Sequence, residues 1–405
     1  MNIVLFSHPV FLNSQSMPRF AGMLQAAYLA RGHQVQMWSP QPKIYALIPR
    51  GRLSKWAGYI DQYLLFPMWV RKQVKQQPAD TLYIFCDQAL GPWVPLVKHK
   101  PHVVHVHDLL ALRSALGGVP ENPTAWSGRL YQRYIRQGFK QAKHFISISN
   151  KTREDLHHFG EVIAATSEVV YNGLNYPYIP LPPNEAIQVL ISAGQPAKPE
   201  GMLLHLGGSQ WYKNLAGVIQ LYIEYAKNEA NPLPLWCVTP TPNKKIQLFL
   251  NQVPPQGQVL FVQGIDNQAL QAAYSLARVF IFPSLAEGFG WPIIEAQACG
   301  CPVLTSDEAP MNEIGGSAAS YIPVLKTSDH VQTWANNGAA KLKSLLTMPE
   351  QQRKKLVDEG IANVARFNAD DAIEGYLKVY RQALAMPLSA GDLNIKPLIA
   401  RKKVS

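Results

Sequence analysis

The chain has 405 residues, 47% of them hydrophobic, with 38 Lys/Arg against 27 Asp/Glu and a formal net charge of +11. That length supports two domains with separate cores, and the apolar share without a long polar tract excludes a disordered chain. Apolar runs such as Tyr63 to Val70 fall far short of the roughly 20 residues that a membrane span needs.

Cys86, Cys237, Cys299 and Cys301 form no CxxC pair and no metal-ligand spacing, so reduced thiols in a cytoplasmic protein are expected. No Asp-x-Asp pair and no His/carboxylate cluster with ligand spacing occurs, so no metal or other cofactor is expected. The charge is uneven. Residues 1–199 hold 20 basic against 10 acidic side chains, and residues 200–405 hold 18 against 17. A basic first half implies an anionic partner.

In chain order, Asn2 to Ser7 reads as a strand, and Met1 to Leu12 lacks the basic start of a signal peptide. Ser16 can cap a helix with Pro18 in its first turn and Phe20, Leu24, Ala27 and Tyr28 on one face. Gly32 ends that helix and Gln34 to Trp38 resumes a strand. Over residues 43–75, Trp56, Tyr59, Ile60, Tyr63 and Leu64 fall at i, i+3, i+4, i+7 and i+8, a helical stripe broken near Pro67. Seven basic residues border it: Lys43, Arg50, Arg52, Lys55, Arg71, Lys72 and Lys75. Such a stripe either faces the core or lies at an interface. On the second reading Arg52, Lys55, Trp56, Arg71 and Lys72 would meet an anionic membrane surface, making the protein peripheral at the inner face of the cell membrane.

Leu82 to Cys86, Val103 to Val106 and Phe145 to Ile148 read as buried strands, the second ending in His107-Asp108. Ser149-Asn150 can cap the next helix. A proline-rich stretch over residues 177–199 reads as a linker between a domain of residues 1–176 and one of residues 200–365. Met202 to Leu206 restarts the alternation and leads into Gly207-Gly208 and Lys213, a glycine turn and a cation suited to diphosphate. Leu235 to Val238, Val259 to Val262, Ala277 to Phe282 and Tyr321 to Val324 continue as strands. Helices follow to Val364 and over Ala369 to Ala385, and residues 387–405 form a basic tail.

The densest stretch is Phe280 to Ser306, FIFPSLAEGFGWPIIEAQACGCPVLTS. It reads as strand, glycine-bracketed loop, helix from Ile293 to Cys299 and strand, with Pro292 suited to a first helical turn. Glu287 lies in the loop and Glu295 near the first turn of the helix. Carboxylates there accept from a hydroxyl-rich ligand such as a sugar or ribose, or they serve only the turn and the helix dipole.

The order Pro-Ser, Glu-Gly-Phe-Gly, Pro, Glu-Ala, Cys-Gly, Pro-Val resembles the signature of retaining nucleotide-sugar glycosyltransferases of the family-four type, whose paired glutamates share the spacing of Glu287 and Glu295. The resemblance extends over roughly residues 1–385. It implies an α/β fold of two Rossmann-like domains facing across a cleft, the GT-B architecture, with the helix in residues 366–386 crossing back onto the first domain. It also implies metal-independent transfer of a sugar from a nucleotide diphosphate sugar to a glycan or lipid-linked acceptor hydroxyl.

Under the resemblance Glu295 holds the ribose, while Glu287 and the amides of Gly288, Phe289 and Gly290 hold the donor sugar. Lys213 neutralises the leaving diphosphate, and His107, beside Asp108, contacts the sugar. Gly207, Gly208, Ser16 and Arg19 would border phosphate, and Gly264 the base. Three departures stand out: Gln15-Ser16 replaces a Gly-Gly pair, Gly208 an arginine and Asn175 an aspartate. They keep open a catalytically silent nucleotide-sugar-binding subunit of the same fold. Nucleic acid is not an expected partner, because no recognition module accompanies the charge.

Overall fold

A computed structural model describes residues 1–12, 16–51, 53–326 and 330–386. The chain divides into two compact units. One holds residues 1–118, 123–170 and the C-terminal segment from Asp370, and the other holds 119–122 and 171–369. Arg52, Gln15 and the expected tail at 387–405 lie outside the described residues.

The first unit contains strands β1 (Asn2–Phe6), β2 (Gln34–Trp38), β3 (Leu82–Phe85), β4 (His102–Val106), β5 (His144–Ser147) and β6 (Thr166–Val169). They form one parallel sheet in the order β2-β1-β3-β4-β5-β6. Alternate side chains leave opposite faces, so Val4 and Phe6 enter one core and Ile3 and Leu5 another. The second of these cores is closed by the Ser16–Ala30 helix and by the Ala369–Ala385 helix, whose Ile373, Tyr376, Leu377 and Tyr380 are buried there. A polar relay runs through this apolar contact. Tyr28 Oη donates to Tyr380 Oη at 2.9 Å, and Tyr380 Oη lies 2.6 Å from His105 Nε2. His105, on β4, therefore holds the last helix rather than a ligand.

The aromatic stripe of residues 53–75 differs from expectation. Pro67 sits harmlessly in the first turn of a Phe66–Val74 helix. The irregularity lies earlier, in a π-helical turn over Asp61–Leu65 that follows the Ser54–Ile60 helix. The face turned to the core carries Ala57, Gly58, Asp61, Gln62, Phe66 and Val70, while Trp56, Ile60 and Leu64 are exposed. The core reading of that stripe thus fails for Trp56, Ile60 and Leu64, while Tyr59 and Tyr63 are half-buried.

The second unit contains β7 (Met202–Leu206), β8 (Leu235–Val238), β9 (Val259–Val262), β10 (Ala277–Phe282), β11 (Val303–Ser306) and β12 (Ala319–Ile322). The sheet is parallel in the order β12-β11-β10-β7-β8-β9. Numbered from β7, this is the doubly wound order 3-2-1-4-5-6. The last strand begins two residues before the expected Tyr321.

The stretch expected to be a linker holds a helix, Pro183–Ser192, which buries Ala186 and Leu190. Its Pro-Pro start suits a first helical turn, so the prolines mark a helix entry rather than an extended connection.

Candidate active site

Ligands of open parallel sheets bind beyond the strands' carboxyl ends, at the point where strand order reverses. In the second unit that point lies between β7 and β10, and the two segments leaving those strands meet there. Lys213 Nζ lies 2.7 Å from Glu287 Oε1, with both side chains mostly buried. The ammonium also sits 4.9 Å from the Phe282 ring centroid and 5.4 Å from that of Tyr212.

Lys213 is not on a helix. It ends a short 3-10 turn, Trp211–Lys213, before Asn214. Asn214, in the left-handed region at φ 54°, accepts from Gly217 N–H and donates through Nδ2 to the Pro283 carbonyl at 3.0 Å. With Leu285 N–H donating to Tyr212 O at 2.8 Å, it ties the lysine loop to the glutamate loop.

The Glu287–Gly290 loop is held by packing. The Phe289 side chain is buried among Tyr171, Trp291 and Phe367, with centroids at 6.4, 5.6 and 5.7 Å. Only its backbone can face a ligand, because the ring is the loop's anchor. Trp291 Nε1 donates to Gly173 O at 3.1 Å, closing that anchor. Gly290 has φ 101° and, as the N-cap of the Trp291–Ala298 helix, supplies no side-chain cap, while Glu287 Oε1 is engaged by Lys213.

The helix starts two residues before Ile293, which places Glu295 in its second turn rather than its first. Glu295 is buried, and its Oε2 accepts from Tyr274 Oη at 3.0 Å. Burial pushes its carboxyl up to about 7, partly opposed by the Tyr274 bond and by Lys213.

His205, near the end of β7, was not singled out by sequence reasoning. Its Nδ1 bonds the Ile281 carbonyl at 2.9 Å, so Nδ1 carries the proton and Nε2 is an acceptor with no partner among the described residues. A Cβ at Gly207 would lie 3.1 Å from that Nε2 and from Lys213 Cβ, so glycine keeps the space beside both open. At Gly208 the nearest atoms belong to the movable Gln210 side chain. Burial, aided by Lys213 and opposed by the Ile281 bond, lowers the His205 imidazole to about 4. Gly264 is exposed at φ 69°, ahead of Asp266, which caps the Asn267–Leu276 helix.

The first unit reverses its strand order between β1 and β3, and a second polar cluster stands there. His8 Nε2 lies 2.7 Å from Asp87 Oδ2. Burial alone would raise the Asp87 carboxyl, but His8, His107 and the Ala89 N–H bring it below its ordinary value. His107 follows β4, buried, with its ring edge-on to Phe20 at 4.6 Å. Its Nε2 bonds the Cys86 carbonyl at 2.9 Å and its Nδ1 has no partner among the described residues. Burial lowers this imidazole too, against Asp87 and the Cys86 bond. Asp108 Oδ1 accepts from Leu110 N–H at 3.0 Å, closing the turn that follows. Ser16 and Arg19, on the first helix, are exposed. Sequence reasoning missed His8 and Asp87, although both fall one residue beyond predicted strand ends. Among the described residues no group of three or more His, Cys, Asp or Glu is arranged to hold a metal ion.

The family described as Glycosyltransferase Family 4 matches residues 17–176, and Glycosyl transferases group 1 matches residues 190–362. The chain belongs to the family-four glycosyltransferases. It is 26% identical over 192 residues to O-antigen chain mannosyltransferase B of Escherichia coli, covering 47% of this chain and only 50% of that relative.

Among solved structures, a sucrose-phosphate synthase from Thermosynechococcus elongatus superposes with TM-score 0.70 at 18% identity, over 95% of this chain and 99% of that one. The structure described as trehalose-6-phosphate from E. coli bound with UDP-2-fluoro glucose gives 0.64 at 13%, over 94% and 99%. These likenesses confirm the GT-B fold of this family-four chain. The paired glutamates of its signature reach different surroundings, one beside a lysine and one beside a tyrosine.

Proposed function

We propose that the protein transfers a sugar, with retained anomeric configuration, from a nucleotide diphosphate sugar to an acceptor hydroxyl in glycan biosynthesis. The observation that carries this reading is the Lys213–Glu287 pair at the strand-order reversal of the second unit, with buried Glu295 on the helix beyond the same loop. A diphosphate takes the ammonium and neighbouring amides as charge-assisted donors. Departure of the nucleoside diphosphate concentrates negative charge on the bridging oxygen, and a fixed cation there lowers the barrier without reorganising. Glu287, acceptor-only, takes hydroxyls of the sugar, and Glu295 takes those of the ribose. His107 offers a neutral Nδ1 acceptor to a sugar hydroxyl.

Support for glycan work comes from the E. coli O-antigen relative, and for a UDP-sugar type of donor from the E. coli structure with its fluorinated analogue. Lys213 supplies the positive charge that a divalent ion gives elsewhere, so activity in EDTA should equal activity without it. The test is release of nucleoside diphosphate from a panel of sugar nucleotides, with the product's anomeric configuration read by NMR. Retention is expected. An inverted product would contradict the mechanism, and binding without turnover would leave the silent-subunit reading.

A further inference from the structure

Within the first unit some of the exposed apolar residues are grouped in rows. Trp56, Ile60 and Leu64, at 65%, 41% and 57% exposure, repeat every four residues, and Met68 continues the row at 60%. On an ideal α-helix a four-residue step drifts by about 40°. The wider π turn at Asp61–Leu65 offsets part of that drift and keeps the row on one face.

A second row stands beside it. On the Trp126–Phe139 helix, Trp126 and Leu130 are 74% and 54% exposed, again four residues apart. The rows are joined by tyrosines. Tyr59 stacks on Tyr131 with centroids 6.1 Å apart, and Tyr63 Oη meets Tyr131 Oη at 2.6 Å. Packing thus sets two apolar rows beside each other, an area of a kind that soluble monomers rarely leave bare.

The charge carried by these two segments beside the rows has one sign, the exposed Glu161 lying against Arg136 and Lys140 at the far end of the second helix. Lys55, Arg71 and Lys72 are exposed on the first row's helices, and Arg129 and Arg133 on the second. Between residues 43 and 78 the sole acidic residue is Asp61, buried and occupied by the backbone N–H groups of Ile44 and Tyr45. Residues 123–143 contain no Asp or Glu.

We infer that this two-helix face docks on an anionic lipid bilayer, with the aromatic and aliphatic rows in the interface and the basic side chains against headgroup phosphates. Inserted apolar area combined with flanking cations is what an interfacial helix requires. A second copy of the same face fits poorly, because it would bring five like charges against five. The inference does not rest on the proposed sugar transfer, and it gives an acceptor carried in the membrane plane a reason to reach this enzyme.

Vesicle co-sedimentation of the full chain tests it, using phosphatidylglycerol-containing and pure phosphatidylcholine vesicles. Expected is pelleting with the anionic vesicles alone, lost at 0.5 M salt because attraction is screened within roughly a few Å. Lys55→Glu with Arg129→Glu should lower vesicle affinity at least about tenfold, since each cation contributes roughly fivefold. Trp56→Ser with Leu64→Ser should weaken it while leaving the melting temperature and nucleotide binding unchanged. Absence of pelleting at low salt, from protein that still melts cooperatively, would overturn the proposal. So would concentration-dependent dimerisation removed by the same serine variants without vesicle binding.

Discussion

The two buried polar clusters meet the cost of desolvation in opposite ways. In the second unit charge is kept and paired, Lys213 against Glu287, and the carboxyl left without a cation, Glu295, is pushed up to about 7 by burial. In the first unit's cluster the buried carboxylate, Asp87, is held ionised by His8, while burial keeps His107 neutral with its Nδ1 unpartnered among the described residues. Buried charges persist only when paired, and neutral acceptors persist when the rest of the ring is hydrogen-bonded. On the proposed reading one cluster takes an anion and the other hydroxyl groups.

The largest effect that would separate them is loss of the cation. Charge-assisted hydrogen bonds are worth about 1.5–3 kcal/mol, so Lys213→Ala should lower kcat/KM about 10- to 150-fold. Steady-state kinetics check this, and a loss under threefold would break the contrast. Gly208 stands where an arginine could have shared the load, so no second cation is expected to compensate.

Next is the pH response of Glu295. With its carboxyl near 7, ionisation is required before ribose hydroxyls can donate to both oxygens. Affinity for an intact sugar nucleotide, whose diphosphate does not titrate in this range, should rise about tenfold from pH 6 to pH 8. Glu295→Gln should abolish that rise. The same group acts on stability with the opposite sign. Its folded value is raised, so the neutral form is favoured in the folded state, and stability falls as pH climbs from about 4.5 to about 7. Thermal melts of the Glu295→Gln protein should lack that decline.

The smallest effect belongs to the first unit. A neutral hydrogen bond is worth about 0.5–1.5 kcal/mol, so His107→Ala should cost about 2- to 12-fold in kcat/KM and leave the affinity for free nucleoside diphosphate unchanged. A larger loss there than for Lys213→Ala would invert the comparison.

How much of this was legible depended on how locally each feature is encoded. The strands β7 to β10 stand at the residues their apolar runs marked, because a fully buried parallel strand leaves an unbroken run. Glu287 and Glu295 were visible since nine residues of one loop and helix carry them both. Lys213 and Gly207 were visible as a turn, yet not their neighbour His205, whose meaning lies in a bond to a carbonyl 76 residues away. His8 and Asp87 are separated by 79 residues and joined only by the strand order, which no local pattern displays. Periodicity marked the row from Trp56 to Leu64 but could not say which face the core would take. That choice was made by the small residues Ala57 and Gly58, which let the helix approach. The helix at Pro183 was hidden because proline reads as a connector when its place in a first turn is not recognised.

The central claim is that two glutamates eight positions apart hold different parts of one donor. Calorimetric titration of UDP, GDP and ADP, and of the matching sugar nucleotides, into the wild-type, Glu287→Gln and Glu295→Gln proteins addresses it directly. The account predicts that Glu295→Gln weakens both the free nucleotide and its sugar conjugate, whereas Glu287→Gln weakens the conjugate and does not weaken the free nucleotide. Equal losses of free nucleotide in both variants, or no nucleotide binding by the wild-type protein, would contradict it.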